Sequence, residues 1–277
     1  MIATLGVVRD DWNDVIGRMA TDCLKLELGT YPKPGLVSHV DNGAHADMDA
    51  AILVRSADTL APFFVELAAA GAAGAAMPRL QAIGIAAERE MLAATGGVNT
   101  HRGAIFGMGL LAAAAGFRAG YGAPGSLGEI VAQRWGAAIG AMAPAERSNG
   151  RLAAQTHGIG GARAEAAAGF PSVYRVALPA LDEGGTLAGD AEPARVQACM
   201  ALIAAVDDTN LFHRGGADGA RAARIAATGF IERGGVGQRD WRRQAIAIHR
   251  DFVERNLSPG GCADLLAMAL FVRMVGP

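Results

Sequence analysis

Five short segments hold most of the side chains in this 277-residue chain that could do chemistry. The first runs Lys33-Pro34-Gly35-Leu36-Val37-Ser38-His39-Val40-Asp41-Asn42-Gly43-Ala44-His45-Ala46-Asp47-Met48-Asp49. The second is Asn99-Thr100-His101-Arg102-Gly103, and the third is Thr156-His157-Gly158, followed by Arg163 and Glu165. The fourth is Asp207-Asp208-Thr209-Asn210-Leu211-Phe212-His213-Arg214-Gly215-Gly216, and the fifth Ser258-Pro259-Gly260-Gly261-Cys262-Ala263-Asp264. Five of the six histidines fall in these segments; only His249 lies elsewhere. Any one segment reads plainly as a capped helix end and a solvated loop. All five together do not, because helix ends need no histidine and loops on a rigid scaffold concentrate functional groups.

Each segment has a chemical use and a plainer alternative. His45, Asp47 and Asp49, with Asp41 close by, combine hard oxygen donors with imidazole and suit Mg²⁺ holding phosphates; alternatively Asp47 and Asp49 only complement the start of the next helix. Asp207 and Asp208 follow a helix end, where the macrodipole disfavours negative charge, so a metal or a cationic partner is expected there. Asn210, His213 and Arg214 then offer donors to an anion. Asn99, His101 and Arg102 open an apolar helix, where N–H groups and side chains can converge on phosphate; plain capping by Asn99 or Thr100 is the alternative. Ser258, Gly260 and Gly261 precede another helix, and the glycines would let a ligand approach the backbone. Arg163 and Glu165 read more simply as a surface pair. The P-loop, nucleophile-elbow and H-E-x-x-H patterns are absent, and Gly158-Ile159-Gly160-Gly161 lacks the preceding strand a dinucleotide site needs.

The elements that must position these groups are helical. Trp12, Val15, Ile16, Met19, Cys23, Leu24 and Leu28 recur at three- and four-residue steps and mark one apolar face. That helix should stop before Tyr31-Pro32-Lys33-Pro34-Gly35. Further helices are expected near 49–73 (interrupted around Pro62), 79–94, 102–117, 127–142, 161–168, 172–181, 194–206, 217–232, 240–255 and 263–274. Ser126 with Glu129 forms a capping box, and Ser258-Pro259 supplies a cap and first-turn proline. Alternating β-branched patterns are almost absent. The expectation is an all-α fold of about ten helices in one compact domain over residues 1–277, with a polar, flexible loop near 182–193.

Composition narrows the classes. With 51% hydrophobic and 19% charged residues the chain is globular, and a net charge of −2 gives no basic face for nucleic acid. Cys23, Cys199 and Cys262 are too scattered for a disulfide framework or a zinc site, which suits a reducing cytoplasm. The most apolar stretches, 60–77 and 103–117, read as buried core and not membrane spans: the first contains Pro62 and Glu66, and the second falls short of about 20 residues. Only two of the 25 basic residues are lysines, Lys25 and Lys33. Apolar helix surface allows a homodimer. The residues themselves describe an α-helical enzyme for a phosphorylated, metal-bound small substrate.

Taken in order, the segments resemble the triphosphoribosyl-dephospho-CoA synthases: Pro-Lys-Pro-Gly-Leu-Val at 32–37, Asn-Gly-Ala-His-x-Asp-Met at 42–48, Asn-Thr-His-Arg-Gly at 99–103, Thr-His-Gly at 156–158, Asp-Thr-Asn at 208–210 and Ser-Pro-Gly-Gly-x-Ala-Asp-Leu-Leu at 258–266. The likeness runs from about residue 20 to the C-terminus, and Gly169-Phe170-Pro171-Ser172-Val173 adds to it. It implies an all-α fold and transfer of the triphosphoribosyl group of ATP to the 2′-hydroxyl of 3′-dephospho-CoA, with release of adenine. The product would be the prosthetic-group precursor for the acyl carrier subunit of malonate decarboxylase or citrate lyase, residues 35–41 leaning to the malonate branch. In that frame His45, His157 and Glu165 are acid/base candidates. Asp41, Asp47, Asp207 and Asp208 are candidates for Mg²⁺ or for a carboxylate beneath the sugar, Asp208 the one counted as catalytic. Lys33, His101, Arg102, His213 and Arg214 are candidates for the triphosphate. A metal-dependent nucleotide or ADP-ribosyl hydrolase, and a binder without turnover, are the rival readings.

Overall fold

The computed structural model describes residues 3–142 and 160–276, with side chains from Trp12 onward. The helical periodicity is realised throughout, and no strand occurs among the described residues. Helix α1 (Ala3–Leu28) buries Ile16, Ala20, Cys23, Leu24 and Leu28, the stripe that its three- and four-residue spacing marks out. It ends at Gly29, before the two prolines. Helix α2 (Ala50–Ala72) is capped by Asp49, whose Oδ1 accepts from the Ile52 N–H at 2.8 Å. Asp49 is therefore a cap, the plainer of its two readings. Pro62 sits inside α2 without ending it.

Helices α3 (Met77–Ala94), α4 (Arg102–Tyr121) and α5 (Leu127–Ala141) follow, and the Ser126/Glu129 capping box opens α5 as expected. At 20 residues α4 is longer than the expected 102–117 and matches a membrane span in length and composition. Its burial is against protein, however: Ala112 to Ala115 are at most 2% exposed, and α4 packs against α2, the C-terminal helix and α1. Small residues make that approach possible. A Cβ on Gly71 of α2 would overlap the Ala113 carbonyl, and one on Gly116 would overlap the Ala68 carbonyl.

The second half comprises α6 (Gly161–Ala167), a π-turn segment (Val173–Ala177) running into α7 (Leu178–Ala188), α8 (Ala191–Ala205), α9 (Thr209–Glu232), a 3₁₀ turn (Gly235–Gly237), α10 (Trp241–Glu254) and α11 (Gly260–Val275). Residues 182–193 are not a loop. They are the end of α7 and the start of α8, joined by Gly189 at φ 67° and by Asp190, which accepts from Glu192 N–H. Gly184 lets α7 lie against Ala194, so tertiary contact overrides the polar, glycine-rich composition. Helix α9 is likewise longer than the expected 217–232, with a break at Gly216 (φ 63°, ψ −165°). One continuous apolar core runs from α1 through α4 and α8 to α11.

Candidate active site

A cavity of about 950 Å³ opens where the 29–49 loop meets the end of α1 and the starts of α4, α9 and α11. The loop is pinned from behind. His249 on α10 contacts the Lys33 carbonyl through Nδ1 at 2.8 Å and Asp41 Oδ1 through Nε2 at 3.1 Å. Gly35, at φ 67°, sits so close to the Leu257 carbonyl that no side chain would fit there. Buried Leu24, Leu36, Val37 and Ala267 form the apolar floor, and exposed Arg102, His213, Asn256 and Asp47 form the rim.

His45 stands on the wall. Its Nε2 lies 2.8 Å from Ser258 Oγ, its Nδ1 3.3 Å from Asp47 Oδ1, and Arg214 Nη2 lies 3.1 Å from the same Nδ1. With the proton on Nδ1 the ring donates to Asp47 and accepts from the Ser258 hydroxyl. With the proton on Nε2 it donates to Ser258 and accepts from Arg214. Burial, and then the Arg214 guanidinium, hold the imidazole below its ordinary pKa, so it is neutral and able to take a proton near pH 7. Arg214 itself donates to neutral acceptors, the Ala44 carbonyl and the Asn256 side chain, both at 2.8 Å. Its positive charge is thus available to an anion at the rim.

Ten of the expected site residues line this cavity: His45, Asp47, Asn99, His101, Arg102, Asn210, His213, Arg214, Ser258 and Gly260. Several work differently from expectation. His101 is buried, with Nδ1 2.7 Å from Ser56 Oγ, while Thr100 Oγ1 donates to the same oxygen. Burial, and then the charge of Lys33, push its pKa down to about 4, so it meets a ligand as a neutral ring and not as a cation. Asn99 Oδ1 accepts from Arg102 N–H, the plain capping role, and Arg102 is paired with Glu88. Lys33 is 1% exposed, lies behind the wall and pairs with Glu27, so it cannot touch a triphosphate.

The four aspartates expected around a metal do not converge. Asp41 holds the loop, accepting from Gly43 N–H. Asp207 is half exposed and pairs with Arg224 at 2.7 Å. Asp208 is buried and accepts from three backbone N–H groups, those of Asn210 and Leu211 on α9 and Cys262 on α11. The expectation that it ends a helix unfavourably is overturned: it begins two helices, whose N–H groups partly offset the burial that raises its carboxyl. Among the described residues no three His, Cys, Asp or Glu side chains form a metal-holding group. Gly260 and Gly261 also serve the α9–α11 junction, since a Cβ would come 2.8 Å from Asn210 Nδ2 or 3.0 Å from Asp208 Oδ2. Glu165 accepts from Ser172 N–H at 2.7 Å and acts as a local cap away from the cavity. His157 lies outside the described residues.

Two carboxyl groups on the cavity wall, Glu27 and Asp264, are absent from the expected set. A signal for Glu27 existed. It stands three residues after Leu24 and four after Cys23, a charged residue on the apolar stripe of α1. Asp264 stood inside the fifth segment, but nothing in its spacing says that it turns toward the cavity.

The profile of the ATP:dephospho-CoA triphosphoribosyl transferase family matches residues 13–276. A probable 2-(5″-triphosphoribosyl)-3′-dephosphocoenzyme-A synthase of Pectobacterium carotovorum is 40% identical, over 94% of this chain and 88% of that protein. A protein of the same name from Azotobacter vinelandii is 37% identical, over 94% and 90%. The 2-(5″-triphosphoribosyl)-3′-dephosphocoenzyme-A synthase of Pectobacterium atrosepticum is 38% identical, over 91% and 86%. No solved structure matches the chain. Sequence motifs, helical architecture and comparisons agree, and the chain belongs to the ATP:dephospho-CoA triphosphoribosyl transferase family.

Proposed function

We propose that the cavity binds MgATP and 3′-dephospho-CoA and moves the 5-triphosphoribosyl group onto the 2′-hydroxyl, releasing adenine. The observation that carries this reading is the 2.8 Å meeting of His45 and Ser258 across 213 residues of chain, which joins two family motifs at one cavity of nucleotide size. The relatives are named as synthases, which favours a coenzyme acceptor over water.

The chain's own groups divide the work. Arg214 and His213 at the rim attract the triphosphate. Mg²⁺, which keeps most of its water and binds through phosphates, enters with ATP. Neutral His45 takes the proton of the attacking hydroxyl, directly or through Ser258 Oγ, while Asp47 steadies the imidazolium that results. The product's destination is the acyl carrier subunit of malonate decarboxylase, a choice supported by the sequence of residues 35–41. Cys23, Cys199 and Cys262 are free and buried, which supports a reducing cytoplasm as the compartment.

Mass-resolved chromatography of the purified protein with MgATP and 3′-dephospho-CoA tests the reading. Adenine and a triphosphoribosyl adduct should appear together, and only with both substrates present. His45→Ala should lower that turnover by about 10²–10⁴-fold, the usual scale of general-base catalysis. Adenine without adduct would mean a nucleosidase, and ADP a phosphatase-like hydrolase; either result defeats the proposal.

A further inference from the structure

Two carboxyl groups face the cavity floor in unlike surroundings. Glu27, at the end of α1, is 13% exposed and pairs with Lys33, which is 1% exposed. A buried ammonium that cannot reach the ligand serves by holding in place the carboxylate that can. Asp264, four residues into α11, lies against Gly103, where a Cβ would overlap its Oδ2, and accepts from Ala104 N–H. Its charged neighbours are the carboxyls of Glu27 and Asp208; the nearby His101 ring is neutral. Burial, and then these two negative charges, raise its carboxyl well above the ordinary range, which favours the protonated form. A carboxyl that burial drives toward its protonated form, beside a second carboxyl on the same cavity wall, commonly marks an acid and a charge-stabilising partner in glycosyl chemistry.

Building on the transferase reading above, we propose that Asp264 is the general acid that protonates the departing adenine and that Glu27, held by Lys33, stabilises the positive charge on the ribose. The cations stand at the rim and the carboxyls beside the apolar floor, so the triphosphate faces outward and the base lies deep. As the sugar C1–N9 bond breaks, its electron pair goes to adenine, which receives the Asp264 proton. The 2′-oxygen bonds to C1, and its proton goes to His45. One proton returned from His45 to Asp264 through solvent restores the starting state, and no further reactant is needed. Lys33 is a positioning residue, acting through Glu27.

The test uses two donors: MgATP, and the 5′-triphosphate of 4-nitrophenyl riboside, whose phenolate leaves without needing a proton. Asp264→Asn, which keeps an acceptor for Ala104 N–H, should slow transfer from ATP by about 10²–10⁴-fold but 4-nitrophenolate release by less than about 5-fold. Glu27→Gln should slow both donors by similar factors, about 10²-fold. In the wild-type protein, kcat with ATP should fall at high pH, and kcat with the nitrophenyl donor should not. Equal losses on both donors for Asp264→Asn, no loss on ATP, or the same high-pH fall with both donors would overturn the acid assignment. The wild-type pH profile decides even if the variant fails to fold. Wild-type protein that makes no adduct would defeat the transferase reading itself, which separates that failure from this one.

Discussion

At its N-terminus α4 meets a cavity through Asn99, Thr100, His101 and Arg102, whereas ten residues on, Ala112 to Ala115 are sealed against α2. The second region brings backbones together by removing side chains: Gly71 against Ala113, and Gly116 against Ala68. The first must keep a space open among helix ends, so every buried polar group there needs a partner, as His101 has Ser56, Lys33 has Glu27 and Asp208 has three N–H groups. One helix thus spends its C-terminal half on packing and its N-terminal end on chemistry. The apolar half supplies the rigidity against which the polar end is held.

The sharpest way to break this contrast is Gly71→Val. The added carbons would displace the Ala113 carbonyl and force α2 from α4, costing about 3 kcal/mol or more, beyond the usual overpacking penalty because backbone must move. Urea denaturation measures it. A midpoint shift equivalent to less than about 1 kcal/mol would show that the close approach is not what holds the two helices.

Acid should act on the other end. The His101 ring is held at about 4 when folded, against 6.5 unfolded, so its stabilising contribution is whole above 6.5 and is lost as pH falls toward 4. That difference corresponds to about 3 kcal/mol at 1.36 kcal/mol per pH unit. Comparing stability against pH for the wild type and His101→Gln isolates the effect from His45 and the carboxyls. The variant's curve should be flatter between pH 6.5 and 4, and parallel curves would mean that His101 is not held neutral.

The smallest effects separate two neighbours. Asp208→Ala removes the acceptor of three N–H groups and should cost about 2 kcal/mol. Asp207→Ala loses a surface pair with Arg224 and should stay within about 0.5 kcal/mol. Thermal unfolding of both variants measures the difference; equal shifts would mean that burial and capping do not distinguish the two positions.

Much of this was legible before any coordinates. Helical spacing located nearly every element, because an amphipathic face of period 3.6 is a local property. The two misread stretches, 182–193 and 209–216, are polar and glycine-rich but largely helical, broken at Gly189–Asp190 and at Gly216. Their helicity depends on Gly184 meeting Ala194 and on Asp208 capping α9, contacts that a local pattern does not contain.

The site divides the same way. Residue order along the chain was enough to identify the family and to name ten residues that line the cavity, since motif identity survives without geometry. Which aspartate binds, caps or pairs was decided only in three dimensions. Asp41, Asp207 and Asp208 look alike in sequence, but one faces His249, one Arg224 and one two helix starts. Charge and protonation likewise belong to the tertiary structure. A carboxyl or imidazole takes its pKa from burial and from neighbours brought in from distant segments, as Lys33 is brought to His101 and Glu27 to Asp264.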